Sequence, residues 1–231
     1  MLKKIFNKFI SNLRFTFDQI INGNSSYIFK VLGQRIKSER LSFVLKKDLE
    51  LKMEMPRSLI NIELRPYTKE DSQYFKEDTG NLFMFKKLSG CYVAVNDKGI
   101  PCFRIWMLKP SLNEVIKDYW GDSYPQLNNN EVLIARAFTL KKFRGLGIMS
   151  KAMALLAENA KKEGFKFAIT ITPIENKNSL YSSFYAGFKP YLVLREKYFI
   201  FKKMDRFEEI PNDLMEFYNK IARRLPKSKK N

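Results

Sequence analysis

The sequence predicts a mixed α/β domain over residues 59–204. Strand-like and helix-like segments alternate from the start of this region, which is typical of the fold class. Two apolar runs within 92–107 flank the turn 96–99, which contains Asn, Asp and Gly and indicates an antiparallel hairpin. Residues 132–164 combine a strand, a glycine-bearing turn and an apolar helix in direct succession.

Residues 1–58 differ from this pattern and are predicted to form a basic appendage. Over residues 1–22 apolar side chains recur at helical spacing, with lysines mostly on the other side. Such a helix suits an anionic membrane surface, and it equally suits packing on the protein body or in a dimer interface. A second helix is predicted over 27–38 and a short strand over 41–45, before the boundary at Met55-Pro56-Arg57.

The main domain begins with a half-buried strand over 60–65, and Thr68 opens a capped helix. Residues 109–130 form an insertion, with a helix over 111–120 and then a polar, turn-rich stretch. This insertion either contacts an acceptor or packs onto the domain through its aromatic residues Tyr119 and Trp120. Later elements are predicted in the order strand 165–172, helix 176–188, strands 191–194 and 198–201, and helix 213–222.

The composition excludes several kinds of active site. The chain carries 42 Lys and Arg against 24 Asp and Glu, a formal charge of +18, and it contains no histidine. A Ser-His-Asp triad, a Cys-His pair and a His-ligated metal are therefore impossible, and we expect no metal. Cys91 and Cys102 are too few for a disulfide framework or a zinc site, so we expect reduced core thiols.

The charge and the apolar runs also bear on location and partners. The sequence has neither a secretory h-region nor about 18 consecutive apolar residues, so we expect a cytoplasmic protein, either free or peripheral at the inner face of the membrane. Residues 205–231 are predicted to form a helix and a basic tail suited to anionic headgroups. The net charge suits an anionic membrane or an acidic carrier protein, and it is equally consistent with solvated surface charge. Nucleic acid is disfavoured, because the sequence has no clustered basic and aromatic reader motif.

The stretch from Thr139 to Ser150 predicts an anion-binding turn. It contains Gly145 and Gly147, follows a strand and opens a helix whose N-terminus favours negative charge. No Gly-Lys-Ser/Thr follows, which excludes a P-loop, and the third glycine of a dinucleotide fingerprint is missing. A tight strand-to-helix connection without a ligand is the alternative interpretation.

Two motifs in this part of the chain resemble the GNAT superfamily of N-acyltransferases. Arg144-Gly145-Leu146-Gly147-Ile148-Met149 resembles its acyl-CoA pyrophosphate loop, Arg/Gln-x-x-Gly-x-Gly/Ala, at the arginine and the central glycine, and departs from it at Met149. Asn176, Ser179, Gly187 and Phe188 match a later helix of the form Asn-x-x-Ala/Ser that is closed by Gly-Phe. The resemblance covers about residues 60–203.

The resemblance implies a central, mostly antiparallel twisted sheet that is splayed at the acyl-CoA site. It also implies acetyl-CoA or another acyl-CoA as co-substrate, with the pantetheine arm against the strand before the turn. The residues that it implies for acyl-CoA contacts are Ala137, Phe138, Thr139, Arg144, Gly145, Leu146, Gly147, Ile148, Met149, Ser150, Asn176 and Ser179.

The implied reaction is direct attack of a primary amine on the thioester. For the base we select Glu131, with its pKa raised towards neutrality by partial burial; the alternative is a solvated carboxylate. For the acid that protonates the thiolate, Ser183 stands where the family has tyrosine. Either Tyr185 or Tyr181 acts in an adjusted geometry, or water does; both tyrosines are equally consistent with packing.

The sequence therefore predicts an N-acyltransferase that moves an acyl group, in the simplest case acetyl, to an amine. Acceptors in keeping with a basic enzyme at a membrane are an amino sugar on a lipid-linked carrier, a lipid amine or a polyamine-like metabolite. One alternative is a long-chain or carrier-protein-dependent acyltransferase. Another is a non-catalytic GNAT-fold binding protein, which Met149 and the displaced tyrosine suggest.

Overall fold

The computed structural model describes residues 37–52, 54–78, 88–200 and 202–223. Within these residues a single sheet of eight strands is accompanied by four α-helices and several short 3-10 helices. The strands are β1 (Lys37–Asp48), β2 (Ile62–Pro66), β3 (Cys91–Asn96), β4 (Pro101–Leu108), β5 (Glu131–Thr139), β6 (Phe167–Pro173), β7 (Lys189–Phe199) and β8 (Lys202–Glu208). The α-helices are α1 (Asn113–Trp120), α2 (Ile148–Lys162), α3 (Lys177–Tyr185) and α4 (Asn212–Ala222).

The strand order in the sheet is β2-β3-β4-β5-β6-β1-β7-β8. The pairs β2/β3, β3/β4, β4/β5 and β6/β1 are antiparallel, and β5/β6 is parallel. The predicted mixed α/β fold with a mostly antiparallel sheet is thus confirmed.

The sheet is covered on both faces, as the burial of β4 shows. All eight of its residues are buried, so this strand lies in the middle of the core. In β5 the side chains alternate: Val132 and Ile134 join the apolar cluster that includes α2 and α3, whereas Leu133 and Ala135 join the cluster that includes α1. The insertion between β4 and β5 therefore covers one face, and the helices α2 and α3 cover the other.

The first strand lies in a different place from the one that the sequence suggested. Residues 42–48 of β1 pair with β6, and Phe43, Val44 and Leu45 are fully buried in the core. The sheet therefore includes residues that the sequence analysis assigned to the 1–58 appendage. Local apolar spacing predicted the strand over 41–45, but strand partners far away in the chain decide which sheet it joins.

Several predictions fall on residues that lie outside the described ones. These are the helix over 1–22, residues 27–36 of the second predicted helix, and the basic tail after residue 223. The last two residues of the second predicted helix, 37 and 38, are described, and they lie in β1, which begins at Lys37. No helix in the described ranges is both long enough and apolar enough to cross a membrane.

The last two strands also differ from prediction. We expected strands at 191–194 and 198–201, but β7 runs unbroken over 189–199 and the turn lies at Ile200, with φ of 45°. The charged residues between the two predicted strands form ion pairs: Arg195 bonds Glu39, and Glu196 lies 2.7 Å from Lys203. A strand with one solvated face can carry such residues without ending.

By its contacts the chain divides into two compact units. Among the described residues, the larger unit comprises those within 41–194 and 206–223, and the smaller comprises those within 37–40 and 195–205. The larger unit contains every residue that the sequence analysis placed in the candidate site. Its C-terminal helix α4, predicted over 213–222, packs Tyr218 against Phe184 of α3 with ring centroids 5.0 Å apart.

Candidate functional site

The strands β5 and β6 separate part of the way along their length. They pair in parallel from Glu131 opposite Phe167 to Leu133 opposite Ile169. Beyond that point β5 continues to Thr139 in pairing with β4, while β6 continues to Pro173 in pairing with β1. The sheet is thus splayed, as the resemblance implied, and the wedge between the two strands leaves backbone edges that an extended ligand can use.

A β-bulge lies in β5 at the start of this wedge. Arg104 of β4 pairs with Phe138 and Trp106 pairs with Ala135, so two residues of β5 face a single residue of β4. One of the two, Arg136, has φ of 56°, a left-handed conformation that is uncommon for residues other than glycine. Bulges bend the strand and redirect its backbone groups. No residue pattern in the sequence indicated this feature.

The glycine turn follows directly on the splayed half of β5. Gly145 and Gly147 have φ of 79° and 73°, and Gly147 is the N-cap of α2. A Cβ added at Gly147 would lie 2.8 Å from the Arg57 carbonyl oxygen, whereas one at Gly145 would meet no described heavy atom within 4 Å. Packing therefore requires Gly147, as in a tight connection without a ligand, whereas Gly145 faces open space, and its part in anion binding stays a prediction.

The segment before β2 supports this turn from outside the sheet. The Leu59 amide donates to the Leu146 carbonyl at 2.9 Å, and the Arg144 Nε donates to the Thr139 carbonyl at 3.2 Å. These bonds hold the turn against both its own strand and the chain at residue 59. Nothing in the residue pattern indicated this contact.

The start of α2 has the character of an anion site. Its first N–H groups have no acceptor within the helix, and its dipole favours negative charge there. Lys141, Lys142 and Arg144 are exposed beside it, and the first turn of the helix has no acidic residue. Met149, which departs from the family pattern, packs its side chain against the core, so its backbone amide stays at the helix start.

The second motif begins α3 at the same end of the sheet. Because β5 and β6 are parallel, the helices that follow them, α2 and α3, both start where these strands end. Asn176 is the N-cap of α3, and its side-chain oxygen accepts from the Ser179 amide at 3.2 Å. These two residues therefore have a capping role, and their contact with acyl-CoA stays a prediction.

The position of the missing tyrosine is buried. Ser183 is fully buried, and its hydroxyl donates to the Ser179 carbonyl at 3.0 Å within the same helix. It is a core residue of α3 and not a donor to a ligand. Tyr181 and Tyr185 lie on the outer side of α3, 38% and 41% exposed, and remain the candidates from this helix.

Glu131 lies at the closed end of β5, and its environment differs from the expected one. The side chain is 5% exposed. Lys46 donates to Oε1 at 2.8 Å, and the backbone and side-chain amides of Asn128 both donate to Oε2 at 3.0 Å. Burial raises the pKa of Glu131, but Lys46 and Asn128 outweigh it, so the pKa lies below its ordinary value. The expectation of a raised pKa was wrong.

The two cysteines are thiols at neutral pH. Burial raises the pKa of Cys91 to about 12 and that of Cys102 to about 11. Cys102 is buried and donates to the Ala94 carbonyl at 3.1 Å. Neither has the thiolate character of a nucleophile, which favours a reaction without a cysteine acyl-enzyme. No group of three or more Asp, Glu or Cys side chains in the described part of the chain is arranged to hold a metal ion.

Comparison with known proteins identifies the fold. No family model and no curated protein sequence matches the chain. Among solved structures, a GCN5-related glucosamine N-acetyltransferase region of a fungal multi-domain GH3 β-N-acetylglucosaminidase aligns with a TM-score of 0.53 at 14% identity, over 77% of this chain and 23% of that one. A Drosophila protein aligns with a TM-score of 0.50 at 12% identity, over 78% and 59%.

A GCN5-related N-acetyltransferase from Sphaerobacter thermophilus also aligns, with a TM-score of 0.48 at 14% identity, over 75% of this chain and 57% of that one. The chain therefore spans less than two thirds of the length of these three structures. At such identities the likeness is one of fold. The splayed sheet and the alignment with the glucosamine N-acetyltransferase region agree, and the fold is that of the GNAT N-acyltransferases.

Proposed function

We propose that the chain transfers an acyl group, in the simplest case acetyl, from acyl-CoA to a primary amine. The observation that carries this proposal is the separation of β5 from β6 after Leu133, directly before the glycine turn that opens α2. The free backbone edge of β5 suits a long flexible arm, and the glycine turn that follows it suits a pyrophosphate. Acyl-CoA has both parts in this order.

Different residues of the wedge suit different parts of acyl-CoA. The backbone at Gly145 to Ser150 and the Arg144 side chain suit the pyrophosphate, because they combine open space, free helix N–H groups and positive charge. The backbone of Ala137, Phe138 and Thr139 suits the pantetheine arm, as an added strand would pair with β5. When bound, acyl-CoA supplies an activated thioester.

The chemical step needs little from the protein beyond positioning. The amine nitrogen forms a bond to the acyl carbon, the bond from carbon to sulfur breaks, and the thiolate leaves with the electron pair. The backbone N–H groups of β5 near the Arg136 bulge are the candidates for stabilising the oxyanion. The amine proton passes to solvent, because the low pKa of Glu131 makes that carboxylate a weak base at neutral pH.

The leaving thiolate also needs little assistance. An ordinary thiol has a pKa of about 8.5, so its thiolate is a good leaving group near neutral pH. Water can protonate the thiolate after it has left. Tyr181 and Tyr185 are partly exposed on α3 and can supplement this role. The buried Ser183 does not contribute.

Calorimetry followed by a thiol-release assay tests the proposal. We expect the full chain to bind acetyl-CoA and CoA, and Arg144→Glu to weaken both, whereas Lys98→Glu in the β3/β4 turn should change neither. Acyl-CoAs of increasing length then measure how much chain the wedge accepts. A folded protein that binds neither CoA nor acetyl-CoA would contradict the proposal.

A binding protein without catalysis is the second candidate. It is favoured by the buried serine at the position where the family has its acid. Acetyl-CoA binding without thiol release across a panel of amines would support this candidate over the enzyme.

Attachment to an anionic membrane through residues 1–22 extends the proposal to a lipid-linked acceptor. Its support is the apolar and basic spacing of that segment. Binding to vesicles that contain anionic lipid, with and without residues 1–22, tests it. Equal binding by the two proteins would exclude that segment as the anchor.

A further inference from the structure

A cavity of about 1060 Å³ lies over strands β3 and β4 in the larger unit. Its lining includes Arg104 and Trp106 of β4. These two residues are the cross-strand partners of Phe138 and Ala135 in β5. Since cross-strand partners project from the same face of a sheet, the cavity lies on the face of Phe138 and Ala135, beside the splayed half of β5.

The cavity also comes close to β5 at Phe75, the residue that directly follows the 3-10 helix Lys69–Tyr74. Phe75, which lines the cavity, packs edge to face on Phe138 with ring centroids 6.3 Å apart. The strand that would hold the thioester is thus one side chain away from the cavity on this side. Most small-molecule sites are concave and largely apolar with a few polar groups, and this cavity has that character.

The aromatic and charged residues of the lining indicate the ligand. The aromatic side chains contribute flat apolar surface. The lining contains four cationic side chains and one carboxylate, that of Asp78. Asp78 forms an ion pair with Arg104. Lys109 lies 2.7 Å from Glu163. The remaining cations, Lys69 and Lys76, are exposed at the cavity and give it a net positive charge. The aromatic members are Tyr67, Phe75, Tyr92 and Trp106.

We infer that this cavity binds the acceptor, and that the acceptor is an amine that also carries an anionic group, a carboxylate or a phosphate, next to a flat apolar portion. The inference rests on the proposed function. Cations nearby favour an anionic group on the ligand and disfavour the ammonium form of its amine, which lowers the pKa of the amine and increases the neutral form that attacks. A polyamine, in contrast, meets like charges at Lys69 and Lys76.

Matched pairs of amines test this assignment. The first pair is phenylalanine and 2-phenylethylamine, which differ by the carboxylate; the second is glucosamine 6-phosphate and glucosamine, which differ by the phosphate. In a thiol-release assay with saturating acetyl-CoA, the anionic member of at least one pair should have a kcat/KM at least about tenfold higher, because discrimination between substrates is a difference in transition-state binding. The pair with the larger ratio identifies the anion.

A charge-matched pair of variants locates the effect. Lys69→Gln with Lys76→Gln should reduce the preference for the anionic amine several-fold, mainly through KM. The control, Lys98→Gln with Lys162→Gln, removes the same charge from exposed positions outside the cavity and should leave the ratio unchanged. Equal ratios in the two double variants, or no preference for the anionic member in either pair of amines, would overturn the inference.

Failure of the inference is distinguishable from failure of the proposed function. Loss of the proposed function appears as absent acetyl-CoA binding, which needs no acceptor. If acetyl-CoA binds but none of the four amines reacts, calorimetry with the product-like N-acetylphenylalanine and N-acetyl-2-phenylethylamine decides. Tighter binding of the carboxylate, weakened by the Lys69 and Lys76 changes, supports the inference; equal binding contradicts it.

Discussion

The two ends of β5 differ in how their polar groups are satisfied. At the start of the strand, Glu131 is 5% exposed and accepts hydrogen bonds from Lys46 and from two groups of Asn128. At the other end the strand has left β6, carries the Arg136 bulge and runs into the exposed glycine turn. At the first end the hydrogen bonds of the carboxylate are made within the protein. At the second end backbone groups and positive charge are available to a ligand.

The closed end of β5 therefore contributes to the stability of the fold, and the open end is available for ligand binding. The carboxylate at the closed end has its charge balanced inside the protein, where Lys46 also lies within 5 Å of the Phe167 and Tyr191 rings. The open end has exposed cations and a helix N-terminus with no acidic residue in its first turn. Changes at the open end should therefore act on ligand binding, and changes at the closed end on folding.

The largest effect is expected for Gly145→Asp. The new carboxylate repels the pyrophosphate and fills the open space at the turn, so acetyl-CoA should bind at least about 100-fold more weakly, about 2.7 kcal/mol. Gly99→Asp is a matched control, because Gly99 has φ of 70° and likewise meets no described atom within 4 Å of an added Cβ. Calorimetry that finds equal affinities for the two variants would disprove an anion site at Gly145.

The second prediction separates the two glycines of the turn. Gly147→Ala should lower the free energy of unfolding by about 2–3 kcal/mol, because strain at positive φ adds to the contact with the Arg57 carbonyl. Gly145→Ala should cost about 1 kcal/mol, from strain alone. Urea unfolding measures both; a loss at Gly147 no greater than that at Gly145 would show that the Arg57 contact relaxes freely.

At the closed end, Glu131→Gln should destabilise the protein by about 1–2 kcal/mol at neutral pH and reduce kcat less than about tenfold. The pKa of Glu131 is lower in the folded protein than its ordinary value of 4.5. The unfolded chain thus binds its proton more readily, and the stabilisation is complete above that ordinary value and lost as the pH falls through the folded pKa.

Unfolding of the wild type and the Gln variant should be compared between pH 3 and pH 7. The difference in stability should be constant near neutrality and shrink below pH 4.5. A constant difference down to pH 3 would contradict the lowered pKa of Glu131. A drop of 100-fold or more in kcat with normal stability would return Glu131 to the role of catalytic base.

What could be predicted from the sequence was mostly local. The strand, turn and helix from residue 132 to residue 164 depend on neighbours in the chain, and so do the Asn176 cap and the β3/β4 hairpin. The partner that lowers the pKa of Glu131, Lys46, lies 85 positions away, and nothing in either segment indicated the pairing. The burial of Glu131 alone gave the wrong direction for its pKa.

The same distinction holds for the fold. The apolar run at 41–45 predicted a strand, but its place between β6 and β7 depends on pairing with residues 167–173. Arg136 adopts a left-handed conformation that its residue type disfavours, so only the register of β4 on β5 explains the bulge. The cavity that we assign to the acceptor likewise joins residues from β3, β4 and the 3-10 helix.

The smallest effect is expected at the tyrosines of α3. If the thiolate leaves without a side-chain acid, Tyr185→Phe and Tyr181→Phe should each change kcat by less than about twofold between pH 6 and pH 9, since water suffices for a leaving group with a pKa of about 8.5. Tyr74→Phe is the control, because Tyr74 is 39% exposed on another element. A tenfold fall in kcat for one α3 variant, largest above pH 8 and with KM unchanged, would make that tyrosine the acid and show that the open end of the sheet depends on side chains as well as backbone.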